Sequence, residues 1–217
     1  MILTVTNQKG GAGKTTVVEC LAMAWHQQGY RTLVVDADEQ ATAHDWAAVA
    51  TSNDVDVPEV IRLTDWRLIC RQIPAKAEDY DCVVIDTPPR LGKISSAAMG
   101  ISDLVVLPVC PGGHDHNALG PTLDLVEDVQ ARLPELRVAI LLNKIANTRI
   151  ARDHRPALQE LTELPLLMSE LRLHTSYIEA QTAGETPLTY EPRGAAASEI
   201  LALVSEIDGI AEEIYAA

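Results

Sequence analysis

The eight residues Lys9-Gly10-Gly11-Ala12-Gly13-Lys14-Thr15-Thr16 constrain this chain more than any other feature. They follow a short apolar run, Ile2–Thr6, and open a segment with helical apolar spacing, Lys14–Gln28. A strand, a glycine-rich turn and a helix in that order form a cradle for phosphate. The glycines let successive backbone N–H groups curl inward toward anionic oxygens. The new helix adds the positive end of its dipole. Lys14 is placed to neutralise β and γ phosphates, the Thr15 hydroxyl to ligate magnesium, and Thr16 to reach an α-phosphate. The pattern G-x-x-x-x-G-K-[ST] is met with one departure. Gln8 occupies the first glycine position, and a second lysine, Lys9, follows it.

The rest of the chain supplies a fitting frame. Short runs rich in Val, Ile and Leu alternate with helix-period segments, which predicts a single α/β P-loop domain over residues 1–217 with a mostly parallel twisted sheet flanked by helices. The strongest strand signals are Ile2–Thr6, Thr32–Asp36, Cys82–Asp86, Leu104–Pro108 and Val138–Asn143, with weaker ones at Glu59–Leu63 and Leu164–Met168. Helices are predicted over Lys14–Gln28, Gln40–Ala50, Asp65–Ala77, His116–Leu133, Thr148–Leu161 and about Ala195–Tyr215. The strand runs are continuous rather than alternating, as expected when helices cover both faces. In such sheets ligands sit at the carboxyl ends of the strands.

Three carboxylates stand at those ends. Asp36 and Asp38 close the second strand, and Asp86 closes the run Val83-Val84-Ile85. Asp86 is expected to hold magnesium through its water shell, with Asp36 as a second holder of those waters. Asp38 is the better placed to orient or deprotonate an attacking water. Any one of them alone would serve equally well as a helix cap; beside a phosphate loop, three of them point to a catalytic site.

Composition narrows the setting. The 217 residues carry a net charge of −14, which favours solubility and works against polyanions. No apolar run is long enough to cross a membrane, and Met1–Thr6 lacks the features of a signal peptide. Cys20, Cys70, Cys82 and Cys110 show no metal-ligand spacing and are expected to be reduced and mostly buried, in a cytoplasmic protein.

With these residues in view, the chain resembles the ParA/MinD group of deviant Walker A ATPases, most of all the short ParA-type partition ATPases. Lys9–Thr16 matches K-G-G-x-G-K-T-T. Asp36-Ala-Asp38-Glu-Gln40 resembles D-x-D-P-Q with Glu39 in place of proline. Asp81–Pro89 with Leu91-Gly92 resembles the Walker B segment, and Ser102–Val109 the strand after it. The resemblance implies ATP and Mg2+ as ligands and slow hydrolysis that a partner stimulates. It implies a nucleotide-sandwich homodimer in which Lys9 reaches the phosphates of the other subunit; physics alone leaves Lys9 equally readable as a solvated loop lysine. It also places Asn143 near the adenine base.

The resemblance further implies a switch that binds non-specific DNA in its ATP state, with a ParB-like partner and association with the nucleoid. Arg149, Arg152 and Arg155 make a basic stripe on one helix, and Arg172 and Arg193 lie further on; these are the candidate DNA contacts. Against this, residues 148–217 hold five arginines and twelve acids, so the arginines have ample acids to pair with. A membrane-binding switch is disfavoured, because the last helix sets Glu199, Glu206, Asp208, Glu212 and Glu213 opposite its apolar stripe. A regulatory ATPase that binds only proteins, an iron–sulfur reductase and a small synthetase are the other readings.

Overall fold

The computed structural model describes residues 1–90 and 92–216, with the side chains of 113–118, 149, 150 and 152 outside the description. Seven strands form one sheet: β1 (Ile2–Val5), β2 (Thr32–Asp36), β3 (Glu59–Arg62), β4 (Cys82–Asp86), β5 (Leu104–Val109), β6 (Arg137–Ile145) and β7 (Leu166–Arg172). Their order is β3-β2-β4-β1-β5-β6-β7, and every pairing is parallel. The helices are α1 (Lys14–Gln27), α2 (Thr42–Ser52), α3 (Trp66–Lys76), α4 (Lys93–Met99), α5 (Gly113–Gln130), α6 (Arg149–Leu161), α7 (Ser176–Thr182), α8 (Pro187–Tyr190) and α9 (Ala195–Ala216).

Side chains along each central strand alternate between two cores. Leu3, Val5, Val34, Val84 and Val106 pack with α1, α2 and α9. Leu33, Val35, Val83 and Ile85 pack against α3 and α4, while Val105 and Leu107 pack against α5 and α6. Both faces are covered, which is why the strands read as unbroken apolar runs. Because β1 lies between β4 and β5, the chain leaves its carboxyl end across an inner position of the sheet, where a ligand crevice forms.

Several boundaries differ from the sequence reading. The seventh strand runs over Leu166–Arg172 rather than Leu164–Met168. It is an edge strand whose second half carries Ser169, Glu170 and Arg172, so a search for a continuous apolar run stops too early. α2 begins at Thr42, two residues after the expected start, because Ala41 adopts a left-handed turn with φ 57°. α4, α7 and α8 have no counterpart in the sequence reading; α4 is buried through Ser95, Ala97, Ala98 and Met99, residues too small for an apolar stripe to stand out. Cys20 and Cys82 are buried as expected, but Cys70 is exposed.

The last helix packs on the domain through Ile200, Leu203, Val204 and Ile207. Its carboxylates do not simply face water. Glu206 accepts from the Met168 and Ser169 N–H groups at 2.6 and 2.8 Å, and Glu199 from the Arg172 N–H at 2.8 Å. Asp208 accepts from the Trp25 indole at 2.8 Å. Among the described residues no helix is long and apolar enough to cross a membrane.

Candidate functional site

The loop after β1 is held at its root by Asn7. That side chain is buried; its Nδ2 donates to the Pro108 carbonyl at 2.8 Å and its Oδ1 accepts from the Lys9 N–H at 3.0 Å. Gly13 caps α1 with φ 87°, a left-handed conformation that suits glycine. A Cβ there would also overlap the Asn143 amide. No side chain caps α1 and no acid lies in its first turn. Its leading N–H groups are thus open to an external anion.

Lys14 and Thr15 project from the first turn of α1. Lys14 is buried, and burial lowers its pKa while the charges of Asp86 and Asp38 act to hold it up. The Thr15 hydroxyl donates to Asp86 Oδ2 at 2.6 Å. Asp86 is fully buried, and its Oδ1 has no hydrogen-bond partner among the described residues. Burial pushes the Asp86 carboxyl up to about 7 against the Thr15 hydrogen bond and the Lys14 charge.

Strand register brings the other carboxylates in. Asp36 pairs with Asp86 across β2 and β4, and Asp86 with Val5 across β4 and β1. Asp36 is buried with both oxygens engaged: Oδ1 accepts from the Asp38 N–H at 3.1 Å and Oδ2 from the His44 N–H at 2.9 Å. It thereby closes the first turn of α2, the capping role that the sequence left open. Burial raises its pKa and those two N–H groups oppose the rise. Asp38 is half-buried, and its Oδ1 accepts from the Gln40 N–H at 3.0 Å.

A fourth carboxyl, Glu19 on α1, escaped the sequence reading. It is 2% exposed, and burial, followed by the charge of Asp86, pushes its pKa well up while a hydrogen bond from Gln181 opposes the shift. Nothing local marks Glu19 as special, since its environment comes from α7.

The donor set suits a magnesium nucleotide. A hydroxyl and a carboxylate with an unpartnered buried oxygen are hard ligands, and magnesium keeps waters and phosphate oxygens as its remaining ligands. No cluster of three or more His, Cys, Asp and Glu side chains able to hold a metal exists among the described residues. Thr15 and Asp86 would therefore hold the ion together with the nucleotide. Asn143 Nδ2 donates to the Ala12 carbonyl at 2.8 Å. Asn143 also lines a cavity of about 170 Å³ with Thr16, Leu173, His174, Tyr177 and Gln181, beside the first turn of α1. The cavity wall from β7 and α7 carries no short motif and was not predicted.

The arginines are treated differently. Arg155 Nη2 donates to Glu170 Oε1 at 2.9 Å and to the Leu167 carbonyl at 2.8 Å, and the two side chains are only 25% and 31% exposed. Its charge is met within the domain. Arg172 is 65% exposed with Nε 3.8 Å from Glu199. Arg193 is exposed ahead of α9. The side chains of Arg149 and Arg152 lie outside the described residues.

A family model described as the CobQ/CobB/MinD/ParA nucleotide binding domain matches residues 3–188. The chain is similar to the maintenance of carboxysome distribution protein A of Halothiobacillus neapolitanus, 28% identical over 208 residues, 94% of this chain and 95% of that one. It is similar to the sporulation initiation inhibitor protein Soj of Bacillus subtilis, 25% identical over 95% of this chain and 97% of that one. Among solved structures, the cell division ATPase MinD of Pyrococcus furiosus superposes with a TM-score of 0.79 at 19% identity, over 96% of this chain and 98% of that one. MinD of Pyrococcus horikoshii, complexed with Mg-ADP, gives 0.76 at 20% identity over 98% and 97%.

Proposed function

This chain belongs to the CobQ/CobB/MinD/ParA nucleotide-binding family, and from that premise we propose that it is a magnesium-dependent ATPase that dimerises on ATP and acts as a switch to position or partition a cargo. The observation that carries the reading is the group formed by buried Lys14, the Thr15–Asp86 pair and the uncapped start of α1. Lys14 and the loop N–H groups bind and orient the triphosphate. Bound magnesium supplies charge neutralisation at the phosphate oxygens. Asp38, half-exposed beside this group, orients the attacking water and accepts its proton. Lys9 reaches the phosphates held by the second subunit. The 170 Å³ cavity takes the base.

Contacts that depend on the γ-phosphate make dimerisation reversible by hydrolysis, which is the basis of a switch. In the ATP state the dimer binds DNA without sequence preference, and a ParB-like partner stimulates turnover and release. Of the five candidate arginines, Arg172 and Arg193 are the two whose described side chains are exposed, and they are the proposed phosphate contacts.

A second reading, an ATPase switch that docks only on proteins, is favoured by the net charge of −14 and by the internal pairing of Arg155. One experiment separates the two: retention on random-sequence DNA with ATP, with ADP and without nucleotide, across a salt series. Retention with ATP alone, falling steeply with salt, supports DNA partition. No retention at low salt rejects it in favour of the protein-docking reading.

A further inference from the structure

The phosphate loop is held from behind by the end of β6. Lys144 Nζ donates to the Gly11 carbonyl at 2.7 Å, and Asn143 Nδ2 to the Ala12 carbonyl at 2.8 Å. Cys110 Sγ lies 3.7 Å from that same Ala12 oxygen. In a planar trans peptide the C=O and the following N–H point to opposite sides. Holding the Gly11 and Ala12 carbonyls toward β6 therefore turns the Ala12 and Gly13 N–H groups the other way, into the hollow of the loop.

Asn143 and Lys144 are consecutive residues of a strand, so their side chains should leave on opposite faces. Both nevertheless reach the same loop. The reason is backbone strain. Lys144 has φ 55°, left-handed and unfavourable for a residue with a Cβ, and its N–H is tied to Asn143 Oδ1 at 2.9 Å. The pairing of β6 with β7 is irregular over this stretch, between Leu142 and Ile145. The fold accepts this strain where it gains a second tether on the loop.

We propose that Lys144 is a positioning residue of the nucleotide site, whose ammonium anchors the Gly11 carbonyl so that the Ala12 N–H is aimed at phosphate before nucleotide arrives. This rests on the reading of the loop as a nucleotide site. The ordinary alternative is an exposed lysine whose contact has no consequence for binding.

The test uses the full chain with Lys144→Met, Lys144→Gly and Lys144→Arg, and Lys14→Ala in parallel. Lys144→Gly removes the arm while suiting the left-handed backbone, so it carries the test if Lys144→Met fails to fold. Two quantities are read: affinity for MgADP and MgATP by calorimetry, and amide hydrogen exchange of residues 8–16 without nucleotide. We expect Lys144→Met and Lys144→Gly to weaken both nucleotides by about tenfold, to speed exchange in the loop, and Lys144→Arg to restore both. Weaker binding with unchanged loop exchange would mean that Lys144 acts through its charge alone, and would overturn the positioning role. So would unchanged affinity in Lys144→Gly while Lys14→Ala abolishes binding. Unchanged affinity in Lys14→Ala would instead sink the nucleotide site itself, and the positioning role with it.

Discussion

At the carboxyl ends of β1, β2 and β4, charged groups are buried beside one another with capacity left over, whereas along α6, β7 and α9 they are occupied with the fold. Asp86 keeps an unpartnered oxygen among the described residues, and Lys14 is buried beside the charges of Asp86 and Asp38. By contrast Arg155 is bound to Glu170 and to strand carbonyls, and Glu199 and Glu206 take up β7 N–H groups. The difference teaches that a charge signals chemistry when its neighbours leave it incompletely satisfied. Charge alone does not.

The comparison can be broken most directly at Lys14. Lys14→Ala should weaken MgATP by about 1000-fold, measured by calorimetry, since it removes the buried cation of the proposed phosphate loop. Next comes pH. Asp86 keeps its proton to about 7 in the folded chain against an ordinary value of 3.8. The folded state therefore binds more protons between those values, and stability falls as pH rises through them. Glu19 acts in the same direction. Urea unfolding in EDTA without nucleotide should show a loss on the order of 3 kcal/mol between pH 4 and 7.5, and Asp86→Asn should remove most of it. A flat profile would mean that the buried charge is already compensated. Asp38→Ala should keep ATP binding but lower turnover by about 100-fold; unchanged turnover would take Asp38 out of the reaction. Smallest of all, Arg155→Ala should cost about 1.5 kcal/mol of stability, read from the urea midpoint, and leave any DNA retention intact. Loss of retention without loss of stability would reverse the assignment for the second region.

Much of the first region was legible because its geometry is local. Lys9–Thr16 is one continuous stretch, and Asp36 and Asp86 each end a strand whose apolar run announces it. That the two carboxylates lie side by side needed the register of β2 with β4. Glu19, His174 and Tyr177 could not be found in this way, since Glu19 meets Gln181 and the cavity wall forms only when α7 folds back on α1. Lys144 was hidden for another reason. A strand pattern says that it points away from Asn143, and only the left-handed backbone brings both to the loop. The pairing of Arg155 was out of reach because helical spacing reports a stripe without reporting Glu170 on a neighbouring strand.

The carboxylates of α9 have one more consequence. An edge strand with open N–H groups is a template on which another chain can add a strand. Along β7 the amides of Met168, Ser169 and Arg172 already have carboxylate acceptors, so that side of the sheet offers an incoming strand few donors. If the chain pairs and separates on nucleotide, as proposed, this margin is guarded against an association that no nucleotide could reverse.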